Sequence, residues 1–269
     1  MTNRALATAR ALRVPEITIY FWVIKALSTA MGEATSDYLV HRIDPKVAVL
    51  IGFAGFVAAL AIQMSMRRYL AWTYWLAVVM VGVFGTMAAD VLHVGFGVPY
   101  IASSAIYAVA LAAVFVTWQR TEGTLSIHSV DTFRREAFYW ATVVATFALG
   151  TAVGDLTATT LHLGYFSSAL LFAGLIVIPA VAYWGFGANP ILTFWTAYVL
   201  TRPLGASVAD WLGKSTKVGG RGWGDGHVSL VTTALIFVLV AFLAITRRDL
   251  QGIPSKKSTD DRVFAGQEI

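Results

Sequence analysis

The sequence predicts an all-α membrane protein of eight transmembrane helices, built as four parallel two-helix repeats in a pseudo-fourfold array. Three observations predict it. Apolar residues make up 57% of the 269 and charged residues only 13%, where a soluble domain carries roughly 25% charged. Eight apolar stretches each approach the ~20 residues that a helix needs to cross a bilayer. One motif recurs four times in the chain: a Trp, a Gly ten residues later and an Asp fifteen residues after the Trp. The copies are Trp22/Gly32/Asp37, Trp75/Gly85/Asp90, Trp140/Gly150/Asp155 and Trp195/Gly205/Asp210.

The spans follow in order. The first, about 17–40, carries the first motif with Lys25 and Glu33, and the second, about 46–66, is plainer. The third, about 70–94, carries the second motif, and the fourth is about 99–118. A polar connector, 119–136, leads to the third motif in 137–161 and a plainer span at 165–186 that contains Pro179. The seventh span, 189–212, carries the fourth motif with Arg202-Pro203. A connector rich in Gly, Lys and Arg, 213–226, precedes the last span, 227–246. The repeats are therefore about 17–66, 70–118, 137–186 and 189–246, within one polytopic domain of 1–246. Residues 247–269 read as a polar cytoplasmic tail. Trp-to-Trp spacings of 53, 65 and 55 residues make each repeat a helical hairpin. An even number of spans per repeat places every copy in one orientation, with the repeat axis along the membrane normal.

Charge fixes the orientation expected. With the N-terminus inside, thirteen Lys and Arg fall on the cytoplasmic side and five (Arg42, Lys46, Lys214, Lys217, Arg221) opposite. That bias places both termini in the cytoplasm of the inner, or plasma, membrane. The 213–226 loop, with three of those five, dissents. Arg4, Arg10 and Arg13 run straight into a full span, so no cleaved signal peptide is expected. Cysteine is absent, which excludes disulfides, thiolate metal sites and a cysteine nucleophile. The net charge of +5 sits beside the spans and does not point to nucleic acid. The partners are the lipid bilayer and the transported species, and the sequence leaves self-association into a homo-oligomer open.

The stretches Tyr20–Asp37, Tyr74–Asp90, Tyr139–Asp155 and Phe194–Asp210 carry a resemblance. Through them the chain resembles an uncharacterised bacterial family of membrane proteins, built from four tandem two-helix repeats that each hold a characteristic Trp. The resemblance covers nearly the whole chain and implies an architecture. It implies no settled activity.

A carboxylate at membrane depth is expensive and marks a functional site. Each Asp lies roughly 22 Å along its helix from the Trp. If the Trp marks the cytoplasmic interface, the Asp sits in the outer part of a core about 30 Å thick. Residues four apart share a helix face, so Asp37 extends a stripe through Glu33, Thr29 and Lys25, and Asp210 one through Arg202. Glu33, Asp37, Asp90, Asp155 and Asp210 are the candidate metal-ligating residues, with Lys25 and Arg202 as gating or charge-pairing cations. Five acids against two bases leave an excess that protonation or a bound cation must neutralise. An oxygen-rich site suits Mg²⁺, Ca²⁺ or Mn²⁺. His41, His93 and His162, expected at the outer mouth, favour Mn²⁺. Gly32, Gly85, Gly150 and Gly205 read as helix-packing positions. Pro203 is expected either to break its helix beside the site or merely to kink it.

The function expected is transport of a divalent cation, Mn²⁺ favoured, by proton-coupled efflux. No Ser-His-Asp or metal-hydrolase pattern occurs, and Gly213-Lys214-Ser215-Thr216 lacks the glycine and the strand of a phosphate loop. No enzyme activity and no cofactor is expected. Two other classes stand beside this one. A proton-coupled transporter of an organic cation predicts a roomy aromatic cavity beside the acids. A non-transporting structural or assembly protein predicts that loss of one Asp lowers stability without changing flux.

Overall fold

The computed structural model describes residues 12–251. The calls on the first eleven residues and on the tail beyond 251 lie outside the described residues. Within them the protein is all-helical, with eight long helices and no strand. They are α1 (Ile19–Arg42), α2 (Pro45–Ser65), α3 (Ala71–Asp90), α4 (Tyr100–Glu122), α5 (Phe133–Asp155), α6 (Gly164–Phe186), α7 (Pro190–Gly213) and α8 (Asp225–Thr246). Every span read from the sequence is present, with its ends moved by a few residues. Local chemistry sets the ends. Thr18, Asp44, Thr132 and Asn189 each accept hydrogen bonds from backbone N–H groups of the first turn. Pro45 and Pro190 open α2 and α7, where a missing N–H does no harm. Gly123 and Gly187 close α4 and α6 in the left-handed conformation.

Six of the eight are long and apolar enough to cross a membrane. The other two, α1 and α7, have 24 residues each and so run about 36 Å. They are less apolar because they carry Lys25, Glu33, Asp37, Arg202 and Asp210. Burial separates an inner from an outer set. The motif helices α1, α3, α5 and α7 bury twelve residues each. The second helices bury four or five and present Leu50, Val109, Leu170 and Phe237 outward. This is the pattern of a protein whose outer solvent is lipid.

The motif helices contact one another in a closed cycle: α1 on α3, α3 on α5, α5 on α7 and α7 on α1. The second helices pack chiefly on the motif helix of the next repeat rather than on their own. Thus α2 lies on α3, α4 on α5, α6 on α7, and α8 returns to α1.

The motif glycines explain how the cycle closes. In each copy the Gly ten residues after the Trp meets, on the following helix, the residue seven after that helix's own Trp. A Cβ on Gly32 would lie 2.7 Å from the Gly82 carbonyl carbon. One on Gly85 would lie 3.0 Å from Phe147 Cβ, and one on Gly150 would overlap the Arg202 stem. One on Gly205 would overlap Thr29. These glycines serve close approach between helices; at each, a Cβ would occupy space that the neighbouring helix fills.

Candidate functional site

One end of the helix cycle is aromatic. Trp75, Trp140 and Trp195 are buried there with Phe21, Tyr74, Tyr139 and Tyr198. They meet edge-on and tilted, as aromatic quadrupoles prefer. Three of the four motif tryptophans are packing posts inside the protein. Trp22 alone is half-buried.

Further along the helices a single guanidinium joins all four motif helices. Nη2 of the fully buried Arg202 on α7 donates to Glu33 Oε2 on α1 at 2.6 Å, Thr86 Oγ1 on α3 at 2.5 Å and Thr151 Oγ1 on α5 at 2.7 Å. Glu33, Thr86 and Thr151 occupy one register, eleven residues after their Trp. The threonines give their own protons to helix carbonyls, Thr86 to Gly82 at 2.9 Å and Thr151 to Phe147 at 3.1 Å. Their lone pairs are thereby left facing the arginine.

Beyond Arg202 lie the acids. Glu33, Asp37 and Asp210 are buried, and each offers an oxygen within 4.8 Å of the others. Lys214 Nζ lies 2.5 Å from Asp37 Oδ2 and 3.8 Å from Asp210 Oδ1. Burial works against the Lys214 ammonium, but Asp37 and Asp210 outweigh it and hold its pKa above the ordinary lysine value. The 213–226 loop holds this lysine in place by folding back on the end of α7. Arg221, Trp223 and Gly224 donate backbone N–H groups to Trp211, Leu212 and Gly213, and Gly222 donates to Lys214 itself. A Cβ on Gly220 would overlap the Lys214 carbonyl. Ser36 and Ser207, on the faces of these acids by helical spacing, bury hydroxyls that have no hydrogen-bond partner among the described residues.

The structure gathers three of the five predicted acids into one group. Asp90 and Asp155 are half-buried and stand apart from it, and neither makes a side-chain hydrogen bond among the described residues. Both sit where the α-helix gives way to a π turn, Val91–Gly95 after Asp90 and Leu156–Thr160 after Asp155. π turns inside helices gather at functional positions. Arg202 reaches a carboxylate as expected, but Lys25 reaches none: its ammonium lies 4.0 Å from the ring centroids of both Phe147 and Tyr198. Of the three histidines expected at the outer mouth, two turn to the backbone, and the His162 side chain makes no hydrogen bond among the described residues. His41 Nδ1 meets the Asp37 carbonyl at 2.6 Å, and His93 Nδ1 meets that of Val98 at 2.6 Å. α7 runs unbroken through Pro203, and α6 through Pro179, so the helical irregularity falls at Asp90 and Asp155 instead.

Sequence reasoning missed Lys214, although its position four residues after Asp210 signals a helical ion pair. It also missed a second polar cluster at the aromatic end. Glu136, fully buried, accepts from Arg13 Nη1 at 2.6 Å, Gln63 Nε2 at 2.9 Å and Trp140 Nε1 at 3.3 Å. Arg13 belongs to an extended strap, Leu12–Thr18, that crosses this end of the bundle. Its backbone bonds to Tyr69 and Val130, in two different connectors, and to Asp249, just after α8. Asp249, whose pKa burial raises, takes the Tyr69 hydroxyl.

A family model, described as Repeat of Unknown Function (DUF347), matches the chain four times, over residues 20–69, 73–124, 138–188 and 193–249. The chain belongs to this family. Its four matches coincide with the repeats read from the motif. No curated protein and no solved structure matches the chain.

Proposed function

We propose that this four-repeat protein moves a divalent cation, Mn²⁺ by preference, across the inner membrane, with both termini in the cytoplasm and protons as the exchanged species. The observation that carries the reading is the buried group of Glu33, Asp37 and Asp210, with oxygens mutually within 4.8 Å. Three converging carboxylate oxygens are a donor set for a hard cation. Ser36 and Ser207 add buried hydroxyls beside them. Lys214 is a tethered counter-ion that offsets part of the charge of Asp37 and Asp210 when no cation is bound and withdraws with its loop when one enters. Arg202 fixes Glu33 from the other side. The motif helices form a pseudo-fourfold ring whose axis is the path. Asp90 and Asp155 are a second station on it, in the half of the ring where, among the described residues, neither pairs with a lysine or arginine.

The test is Mn²⁺ entry into liposomes carrying the purified protein. Wild type is expected to show uptake that Mg²⁺ and Ca²⁺ inhibit only weakly. Asp37→Asn and Asp210→Asn are expected to lower it at least tenfold, and Asp155→Asn to lower it less. Lys214→Met is expected to raise apparent affinity by removing the competing ammonium. Folded wild type that moves no divalent ion would overturn the reading.

A further inference from the structure

The group of acids leaves one part of the core unexplained. Lys25 and Arg202 are both completely buried, and both lie over Phe147, with Lys25 Nζ 4.0 Å and Arg202 Cζ 5.3 Å from its centroid. Arg202 spends Nη2 on Glu33, Thr86 and Thr151. Its Nε and Nη1, and Lys25 Nζ, have no hydrogen-bond partner among the described residues. Neighbouring hydroxyls do not reach these donors. Ser28, Thr146 and Thr201 donate to helix carbonyls, at 2.8, 2.7 and 2.7 Å, and Thr29 does so at 2.7 Å, but among the described residues none of them accepts from Lys25 Nζ or from Nε or Nη1 of Arg202. Two cations thus share one aromatic wall, with a single carboxylate, Glu33, in contact with either.

The aromatic faces ease the charge. A desolvated cation is attracted to the face of a ring. The rings offer no directed acceptor to the remaining N–H groups, and leaving a buried charged donor unmet is costly. A neutral acceptor would meet the donors and leave the charge. An anion meets both. The walls are close: a Cβ on Gly82 would lie 3.1 Å from the Phe147 ring and 3.2 Å from the Ser28 carbonyl. That restricts the ligand to a small one.

We propose that a monovalent anion of the halide class binds between Lys25 and Arg202 beside Phe147. The site adjoins the acids through Arg202, which also holds Glu33 at 2.6 Å, while Lys25 lies two turns before Glu33 on α1. It balances the positive level of the core as a cation balances the negative one.

The experiment is thermal unfolding of the purified full-length protein in detergent, in sodium chloride or bromide against sodium gluconate at equal ionic strength. Wild type is expected to gain melting temperature saturably with halide. Asp37→Asn, which removes a cation ligand, is expected to keep that gain, and Lys25→Met to lose it. Equal melting in halide and gluconate overturns the proposal, as does a halide gain that persists in Lys25→Met. Should Lys25→Met fail to fold, wild-type crystals grown in bromide decide the matter. An anomalous peak beside Lys25 Nζ is the expected result, and bromide confined to the surface overturns it. Neither arm reads transport, so the outcome is independent of the cation function.

Discussion

The two halves of the helix cycle treat the same sequence motif differently. In the half made by α1 and α7, the acids Glu33, Asp37 and Asp210 stand against Arg202 and Lys214, and both helices stay α-helical to their last turn. In the half made by α3 and α5, Asp90 and Asp155 form no ion pair among the described residues, and the backbone loosens into a π turn after each. The residue four before Asp37 is Glu33, while the corresponding residues in the second and third copies are Thr86 and Thr151. Those threonines bring no charge of their own and accept from Arg202 instead. Duplication thus supplied one scaffold position four times. Side chains then gave one half a site of three acids against two bases and the other a partly buried pair of carboxylates on irregular helix. Arg202 is the bond between the halves.

The largest effect expected is therefore from Arg202→Met. It strands Glu33 without its buried cation and removes the contacts to Thr86 and Thr151, at about 3–5 kcal/mol. The measurement is the melting temperature in detergent. The double variant Glu33→Gln/Arg202→Met should recover part of the loss, because no buried charge is then unmatched. Little loss in the single variant would show the halves to be held together by packing alone.

Glycine substitutions come next, at about 1–3 kcal/mol for an overpacked contact. Gly32→Ala should fall at the upper end, since its methyl meets the backbone of Gly82, which cannot rotate away. Gly85→Ala should cost less, because its methyl meets Phe147 Cβ at 3.0 Å, where that of Gly32→Ala meets backbone at 2.7 Å. Equal melting temperatures for the two would mean that α1 and α3 separate more easily than their contact implies.

The halves can be compared directly with one variant in each. Lys214→Met removes an ion pair that is about three-quarters buried, and should destabilise by about 1–2 kcal/mol. Asp155→Asn breaks no ion pair and should change stability by under ~1 kcal/mol. A larger loss from Asp155→Asn would assign the π-turn half a structural role.

The smallest effect is at the surface. The hydrogen bond between Glu16 and His128 lowers the Glu16 pKa and raises that of His128. The stability this adds is lost as pH rises through the raised His128 value, and again as pH falls through the lowered Glu16 value. Both side chains are well exposed, so the window between is worth at most about 0.5 kcal/mol. Melting of His128→Ala and wild type between pH 4 and 8 should differ only inside that window.

Much of the fold was legible because a bilayer imposes length and polarity together. All eight helices, the four repeats and the inner position of the motif helices follow from apolar runs and one recurring register. Arg202 was legible as a buried charge that needs a carboxylate, but that the carboxylate is Glu33, on another helix, was not. The rest depended on neighbours in space. The pairing of each glycine with a position on the next helix, and the preference of α2 for α3 over α1, are relations between helices that periodicity within one helix does not encode. Lys214 was counted with a loop because it follows the last apolar residue, and only the fold-back of that loop turns it inward. Lys25 looked like a partner for acids on its own face, but Phe147 and Tyr198 occupy the space around it.

The hand-over packing of the second helices has a consequence for how the chain is made. A ribosome delivers α1 first, and α1 is the helix with the most charge to hide. Its outer cover is α8, which emerges last. Every other motif helix meets its cover as soon as it leaves, since α2, α4 and α6 are already waiting. The first helix must therefore persist in the membrane, its polar stripe shielded by the insertion machinery or by a growing partial assembly, until synthesis ends. Truncation before α8 should leave α1 uncovered and mark the unfinished chain for degradation, an outcome that pulse-chase labelling of nested truncations would read directly.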